Sequence, residues 1–76
     1  MQDLLKNIVQ ALVDNPDQIK IKPVEGNQVT ILELKVAKED IGKVIGKKGR
    51  TAHAIRIILG AASAKIKKRT TLEIIG

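Results

Sequence analysis

The chain has 76 residues and a formal net charge of +6, and it contains no cysteine and no aromatic residue. A chain of this length has room for one domain, which we place over residues 1–76, and its small core has no disulfide to support it. This composition excludes thiol catalysis, thiolate metal sites and the aromatic platforms on which many proteins stack nucleic-acid bases.

The first predicted element is an amphipathic helix over residues 2–14. Its apolar residues recur at spacings of three and four, as on one stripe of a helix: Leu4, Leu5, Ile8, Val9, Leu12 and Val13. Pro16 ends the helix, because proline disfavours the helical conformation in the residue before it. Asp3 and Asn7 make this segment unlike a signal peptide, and no apolar run approaches the roughly 20 residues that cross a bilayer. We therefore expect a cytoplasmic protein without membrane insertion.

Two strands are predicted next, on either side of a turn at residues 25–27. In the first strand Ile19, Ile21 and Pro23 alternate with lysines, and the proline favours a position at the edge of a sheet. The second strand covers residues 28–36, with its apolar residues on one face and Glu33 and Lys35 on the other. We expect the two strands to pair as an antiparallel hairpin.

Two helices and a third strand complete the predicted order. A short helix over residues 38–45 breaks at Gly46, and Glu39 and Asp40 are placed to cap its start. The next helix covers residues 50–64. Its predicted buried stripe consists of Ala52, Ile55, Ile58, Leu59 and Ala62. A basic connector over residues 65–69 leads to a strand over residues 70–75 that is rich in β-branched side chains.

Positive charge is concentrated in the second half of the chain. Residues 1–40 contain five lysines and seven acids, whereas residues 41–76 contain nine basic residues and one acid, Glu73. A polyanion is therefore a candidate partner. A solvated basic face that only keeps the protein in solution explains the charge equally well.

The connection between the two middle helices is a Gly-Lys-Lys-Gly loop at residues 46–49. Glycine adopts positive φ without steric cost and presents no side chain to a ligand. The amides of residues 48–51 are predicted to lie at a helix start, where unpaired N–H groups favour a phosphate, and Lys47, Lys48 and Arg50 add positive charge. Two glycines three residues apart are a common pattern, so the hypothesis of a phosphate site depends on the flanking helices and basic residues.

The segment from Ile41 to Ala52 reads IGKVIGKKGRTA and resembles the V-I-G-x-x-G signature of KH domains. The element order is similar to the type II KH arrangement, and the resemblance covers nearly the whole chain, as in the KhpA-like family of small bacterial RNA-binding proteins. It implies an α+β fold of order α-β-β-α-α-β, in which a three-stranded sheet packs on three helices. It also implies a groove in which the loop holds about four nucleotides of single-stranded RNA.

The resemblance assigns roles to a set of candidate RNA-binding residues. They are Lys43, Val44, Ile45, Gly46, Lys47, Lys48, Gly49, Arg50 and Thr51. The loop would clamp phosphates, Arg50 and Thr51 would extend that site, and Val44 and Ile45 would line the groove or support its floor. The strand around residues 34–36 would form the opposite wall. For one of Val44 and Ile45 we favour a place in the core over a place in the groove, and for the two loop lysines the alternative is a solvated turn.

Catalysis has little support in this sequence. His53 is the only histidine, and Ser63 has no base near it in the sequence. Residues 42–48 are similar to a nucleotide P-loop but are one residue short and have Lys48 where Ser or Thr would hold magnesium. We predict that the protein is not an enzyme and has no cofactor and no metal site. A basic helix lying on an anionic membrane is a weaker alternative.

Two functional hypotheses remain. The first is a sequence-tolerant, single-stranded RNA-binding module that acts as a general RNA-binding or chaperone-type regulator. The alternative is a protein–protein adaptor, because Ile57 lies with His53 and Ala61 on the helix face opposite the buried stripe. The resemblance also implies that the chain forms a homodimer or a heterodimer with a larger KhpB-like RNA-binding protein. A single exposed isoleucine is also normal on a monomer.

Overall fold

The computed structural model describes residues 1–75. The main elements are α1 (Gln2–Gln10), β1 (Lys20–Glu25), β2 (Val29–Lys35), α2 (Ile41–Ile45), α3 (Arg50–Ser63) and β3 (Arg69–Ile75). Single 3-10 turns lie at Pro16–Gln18, Lys38–Asp40, Lys47–Gly49 and Ala64–Ile66. This order confirms the predicted α-β-β-α-α-β fold. Within residues 1–75 no helix has the length and apolar character needed to span a membrane.

The three strands form one mixed sheet in the order β1-β2-β3. The predicted hairpin is confirmed: β1 runs antiparallel to β2, and the Gly26 N–H donates to the Val29 carbonyl across the turn. Pro23 lies in an edge strand, where its missing N–H costs no hydrogen bond within the sheet. β3 runs parallel to β2, because α2 and α3 carry the chain back to the same end of the sheet. β3 is therefore the second edge.

The core lies between the sheet and the helices. The predicted alternation on β2 is confirmed, because Thr30, Leu32 and Leu34 are buried while Glu33 is half-buried and Lys35 is exposed. The cluster of buried apolar side chains consists of Leu5, Val9, Val13, Leu32, Leu34, Val36, Val44, Ile55, Leu59 and Leu72. Side chains from α1, β2, α2, α3 and β3 thus contribute to one core.

Helix α1 is shorter than predicted. It ends at Gln10 because the next amides bond to nearer carbonyls: Ala11 donates to Ile8 and Leu12 to Val9. Val13 is still buried, so the apolar spacing identified the packing but not the end of the helix.

Helix α3 buries a narrower stripe than predicted. Ala52, Ile55 and Leu59 are buried, but Ile58 is 44% exposed, so its assignment to the core is wrong. The stripe continues instead at Ser63, four residues after Leu59. The Ser63 hydroxyl donates to the Gly60 carbonyl and accepts the Thr70 N–H, and so joins the end of α3 to the start of β3.

Candidate nucleic-acid interface

The Gly-Lys-Lys-Gly loop forms a sharp bend between α2 and α3. Gly46 has φ 76° and ψ 174°, and Gly49 has φ 73° and ψ 13°. Lys48 between them is also left-handed, with φ 58° and ψ 27°. The chain therefore does not run from α2 into α3 as one helix, and three of the four loop residues have positive φ.

The two glycines are required for different reasons. A Cβ atom on Gly46 would lie 2.2 Å from the Thr51 Oγ1 and 2.9 Å from the Thr51 nitrogen. Gly46 thus lets the loop pack closely on the first turn of α3. A Cβ atom on Gly49 would meet nothing within 4 Å, so only the positive φ favours glycine there. The backbone at Gly49 faces open space in which a ligand can approach.

Two of the four amides that were expected to be free are bonded within the loop. The Gly49 N–H donates to the Gly46 carbonyl over 3.2 Å, and the Arg50 N–H donates to the Lys47 carbonyl. The other two amides predicted to face a phosphate are those of Lys48 and Thr51. The positive end of the α3 dipole lies at the same place and favours an anion.

Three cationic side chains surround this bend. Lys47, Lys48 and Arg50 are exposed, and within residues 1–75 the ion pairs of the structure involve other lysines, Lys43 and Lys68. The charges of the three loop cations are thus not neutralised by a neighbouring acid. They are available to a polyanion.

Lys43 is in a different environment. Its ammonium group forms ion pairs with Asp14 and with the Asp40 Oδ1, the second over 3.4 Å. The hydrogen bond to Asp14 raises the pKa of Lys43, with Asp40 adding to the effect against partial desolvation. A phosphate would therefore compete with two carboxylates for Lys43, unlike for Lys47 and Lys48.

Asp40 has a role that the sequence did not indicate. Its side chain is fully buried and makes no capping bond to α2, so the expected helix cap is wrong. The carboxylate instead accepts the Asp14 and Asn15 N–H groups at 3.2 and 3.0 Å and the Asn15 side-chain amide at 3.1 Å. Burial alone would raise the pKa of Asp40, but the hydrogen bonds from Asn15, Asp14 and Lys43 outweigh burial and lower it. Asp40 thus ties the segment after α1 to the start of α2.

The apolar candidates divide between core and surface. Val44 is fully buried, whereas Ile45, directly before the loop, is 38% exposed. Leu34 and Val36, at the end of the central strand β2, are buried in the core. The strand edge that α3 contacts through a side chain is β3, where the Arg56 Nε donates to the Leu72 carbonyl over 3.2 Å.

Comparison with known proteins identifies the family. A family model described as KhpA/KhpB, KH domain, matches residues 2–74. The chain belongs to this KH-domain family. It is 56% identical to the RNA-binding protein KhpA of Caldanaerobacter subterraneus subsp. tengcongensis over 99% of this chain and 100% of the relative. It is 55% identical to RNA-binding protein KhpA of Clostridium acetobutylicum, with the same coverage of both chains, and 43% identical to that of Aquifex aeolicus over 99% and 95%.

Membership of the KhpA/KhpB family agrees with the prediction that the protein is not an enzyme. The relatives carry the name of an RNA-binding protein and not of a catalyst. Within the described residues no three His, Cys, Asp or Glu side chains lie together in a way that could hold a metal ion.

The residues expected at a dimer interface form a row on α3. His53, Ile57 and Ala61 are all exposed and are spaced by four residues, which places them along one face of the helix. Ile57 is 58% exposed, and its neighbour Ile58 widens the apolar surface. This α3 surface row is separate from the glycine loop except at its start, where His53 lies one turn into the helix.

Proposed function

We propose that this chain binds single-stranded RNA and that the glycine loop holds the sugar-phosphate backbone. The relatives of this chain in the KhpA/KhpB family are named RNA-binding proteins. The observation that carries the proposal is the loop itself: open backbone at Gly49, a helix N-terminus behind it, and unpaired Lys47, Lys48 and Arg50 around it. Backbone amides and cations at a helix start are the groups that bind phosphate.

The binding should tolerate many sequences and depend strongly on salt. The chain has no aromatic residue on which a base could stack, so the bases meet only aliphatic groups such as Ile45 and a few polar groups. Neutralising three phosphates of a single strand gives a slope of log K against log salt of about −2. These properties fit a general RNA-binding or chaperone-type regulator in the cytoplasm.

A charge reversal in the loop tests this proposal. Lys47→Asp with Lys48→Asp should abolish binding of a labelled single-stranded RNA in fluorescence anisotropy. Aspartate tolerates left-handed backbone better than most residues, so position 48 should keep its conformation. The matched control is Lys20→Asp with Lys22→Asp, two exposed lysines on edge strand β1 with the same change in charge. If the loop variant binds as tightly as the control, the loop is not the phosphate site.

We propose pairing through α3 as a second function, because the α3 surface row exposes Ile57 where a monomer gains nothing from it. The partner would be a second copy of this chain or a KhpB-like protein, the other member that the family description includes. Ile57→Glu should convert a dimer to a monomer in size-exclusion chromatography with light scattering. Ile66→Glu is the control, since Ile66 is 62% exposed but lies after α3. A purified wild-type chain that is monomeric alone and does not pair with a KhpB-like protein would contradict this function.

A further inference from the structure

One cation beside the glycine loop is paired with a carboxylate of the chain itself. Lys43 lies on α2 three residues before Gly46, which is about 4.5 Å along the helix axis. Its ammonium group forms an ion pair with the carboxylate of Asp14, a residue of the segment after α1. Asp14 thus places a negative charge at the lysine that would otherwise meet the next phosphate of a strand bound at the loop.

The backbone brings Asp14 and Lys43 together. The buried Asp40 carboxylate accepts the N–H groups of Asp14 and Asn15 at 3.2 and 3.0 Å. Asp40 directly precedes α2, so the contact that fixes the segment after α1 also fixes the position of Asp14 relative to α2. Because the pair is preformed, Asp14 has a high effective concentration at Lys43, and a phosphate from solution has to compete with it.

Of the two carboxylates near Lys43, Asp14 is the main partner. The Asp40 carboxylate is 3.4 Å from the Lys43 ammonium group and already accepts three hydrogen bonds from Asp14 and Asn15. The hydrogen bond with Asp14 is also the largest cause of the raised pKa of Lys43. The side chains of Asp14 and Lys43 are 78% and 43% exposed. Removing the Asp14 carboxylate therefore frees a surface cation and leaves no buried charge without a partner.

We propose that Asp14 withholds Lys43 from the RNA strand and so limits the number of phosphates that the protein neutralises at the glycine loop. This inference rests on the proposed RNA-binding function. With the Asp14 carboxylate in place, the strand meets the three unpaired loop cations, Lys47, Lys48 and Arg50. Without it, Lys43 becomes a fourth cation and binds the next phosphate on the α2 side of the loop. Asp14 thereby keeps the affinity for RNA below the value that these four cations allow.

Asp14→Asn tests this inference, because it removes the charge and keeps the backbone N–H that Asp40 accepts. The matched control is Asp17→Asn, which changes the net charge equally. Asp17 is exposed and takes part in none of the ion pairs among residues 1–75. Each phosphate contact to a single strand contributes about 0.7 to the salt slope, which is about fourfold in affinity near 0.15 M salt. Asp14→Asn should therefore bind a labelled oligouridylate about fourfold more tightly than Asp17→Asn, with a slope steeper by about 0.7.

A second set of variants tests whether the gain depends on Lys43. In a Lys43→Gln background, Asp14→Asn should bind the oligouridylate no more tightly than Asp17→Asn, because no cation is left to release. Lys43→Gln alone should leave the salt slope of the wild type unchanged, since Lys43 does not neutralise a phosphate while Asp14 is paired with it. All of these affinities are measured by fluorescence anisotropy over the same series of salt concentrations.

The outcomes separate this inference from the function on which it rests. If Asp14→Asn and Asp17→Asn bind with equal affinity and slope, or if the gain persists in the Lys43→Gln background, Asp14 does not withhold this cation. If the Lys47→Asp, Lys48→Asp variant retains RNA, the loop assignment fails instead. Circular dichroism checks that Asp14→Asn folds. Should it not fold, Asp14→Ser removes the same charge and keeps the same backbone N–H.

Discussion

Substitution of the two loop glycines should have unequal effects on stability. Gly49 is in the left-handed helical region, with φ 73° and ψ 13°, where alanine costs about 1 to 2 kcal/mol in backbone conformation. Gly46 has a similar φ of 76° but a ψ of 174°, a region that only glycine adopts readily, where alanine costs about 1 to 3 kcal/mol. At Gly46 the new Cβ also meets Thr51, with the three nearest atoms at 2.2, 2.7 and 2.9 Å. Relief of such overpacking typically costs a further 1 to 3 kcal/mol or so. Gly49→Ala has no such contact.

The expected losses are large for a chain of this size. At about 0.05 to 0.15 kcal/mol per residue, 76 residues have a free energy of unfolding of about 4 to 11 kcal/mol. Gly46→Ala should remove about 2 to 6 kcal/mol of it, and Gly49→Ala about 1 to 2 kcal/mol. Any effect of alanine on the unfolded chain is common to both variants and cancels in the comparison.

Urea unfolding followed by far-UV circular dichroism measures this difference, because the chain has no tryptophan or tyrosine for fluorescence. With a slope near 1 kcal/mol per molar urea, the midpoint of Gly46→Ala should lie about 1 M or more below that of Gly49→Ala. Adding Thr51→Ala to Gly46→Ala removes the nearest of the three contacting atoms and should restore part of the loss. Gly49→Ala should nevertheless weaken RNA binding. This variant stays folded, but its new methyl group lies on the open backbone that a ligand would approach. Equal midpoints for the two alanine variants would refute the packing of Thr51 against Gly46.

Three further predictions concern single side chains. Lys48→Gly should raise the free energy of unfolding measured in urea by about 0.5 to 1 kcal/mol, because glycine adopts the left-handed backbone at this position without strain. The same variant should bind RNA about fourfold more weakly near 0.15 M salt, because it loses one cation that contacts phosphate. Asp40→Asn should make the free energy of unfolding depend less on pH in the acid range. The lowered pKa of Asp40 stabilises the wild-type fold above pH 3.8, the pKa in the unfolded chain, and this contribution is lost as the pH falls through the lower pKa of the folded chain. Urea midpoints measured between about pH 2 and 6 would show the difference. A variant that keeps the wild-type pH dependence would contradict this role. Ser63→Ala leaves the buried Thr70 N–H without its acceptor and should lower the free energy of unfolding by about 1 to 3 kcal/mol. The Tm should fall by about 4 to 8 °C for each kcal/mol lost. An unchanged Tm would show that this hydrogen bond contributes nothing to stability.

The fold was predictable where a short-range pattern decides the structure. The alternation from Thr30 to Val36 identified the buried face of β2, and Pro23 identified an edge strand, because each depends on neighbours within a few residues. The pattern failed where several apolar residues were adjacent. Ile58 was expected to be buried but is exposed, whereas Ser63 is buried. The buried Ser63 hydroxyl is satisfied by the Thr70 N–H, a partner that only the folded chain supplies.

The location of the candidate site was predictable from the sequence, but the separate roles of its residues were not. The sequence treats Gly46 and Gly49 alike, and the difference between them arises from where Thr51 lies in three dimensions and from their ψ angles of 174° and 13°. Asp40 looked like a helix cap because its partners, Asp14 and Asn15, precede it by about 25 residues. Lys43 looked like another free cation of the loop because its partner Asp14 precedes it by 29 residues. Its pairing with Asp40, three residues earlier, is a spacing that a sequence does show. A single sequence carries no signal for the contacts with Asp14 and Asn15.

Stability and binding depend on different groups at this site, and this separation is what makes the proposed function testable. The bend is held by uncharged or internally paired groups: Gly46 against Thr51 on the α3 side, and Asp40 with its hydrogen-bond donors on the α2 side. The cations around it, Lys47 and Lys48, have no acidic partner within residues 1–75 and contribute nothing to holding the bend. Removing them therefore costs the fold little while removing the attraction for phosphate. A loop whose lysines also carried its structure would lose folding and binding together, and charge reversal could not tell the two apart.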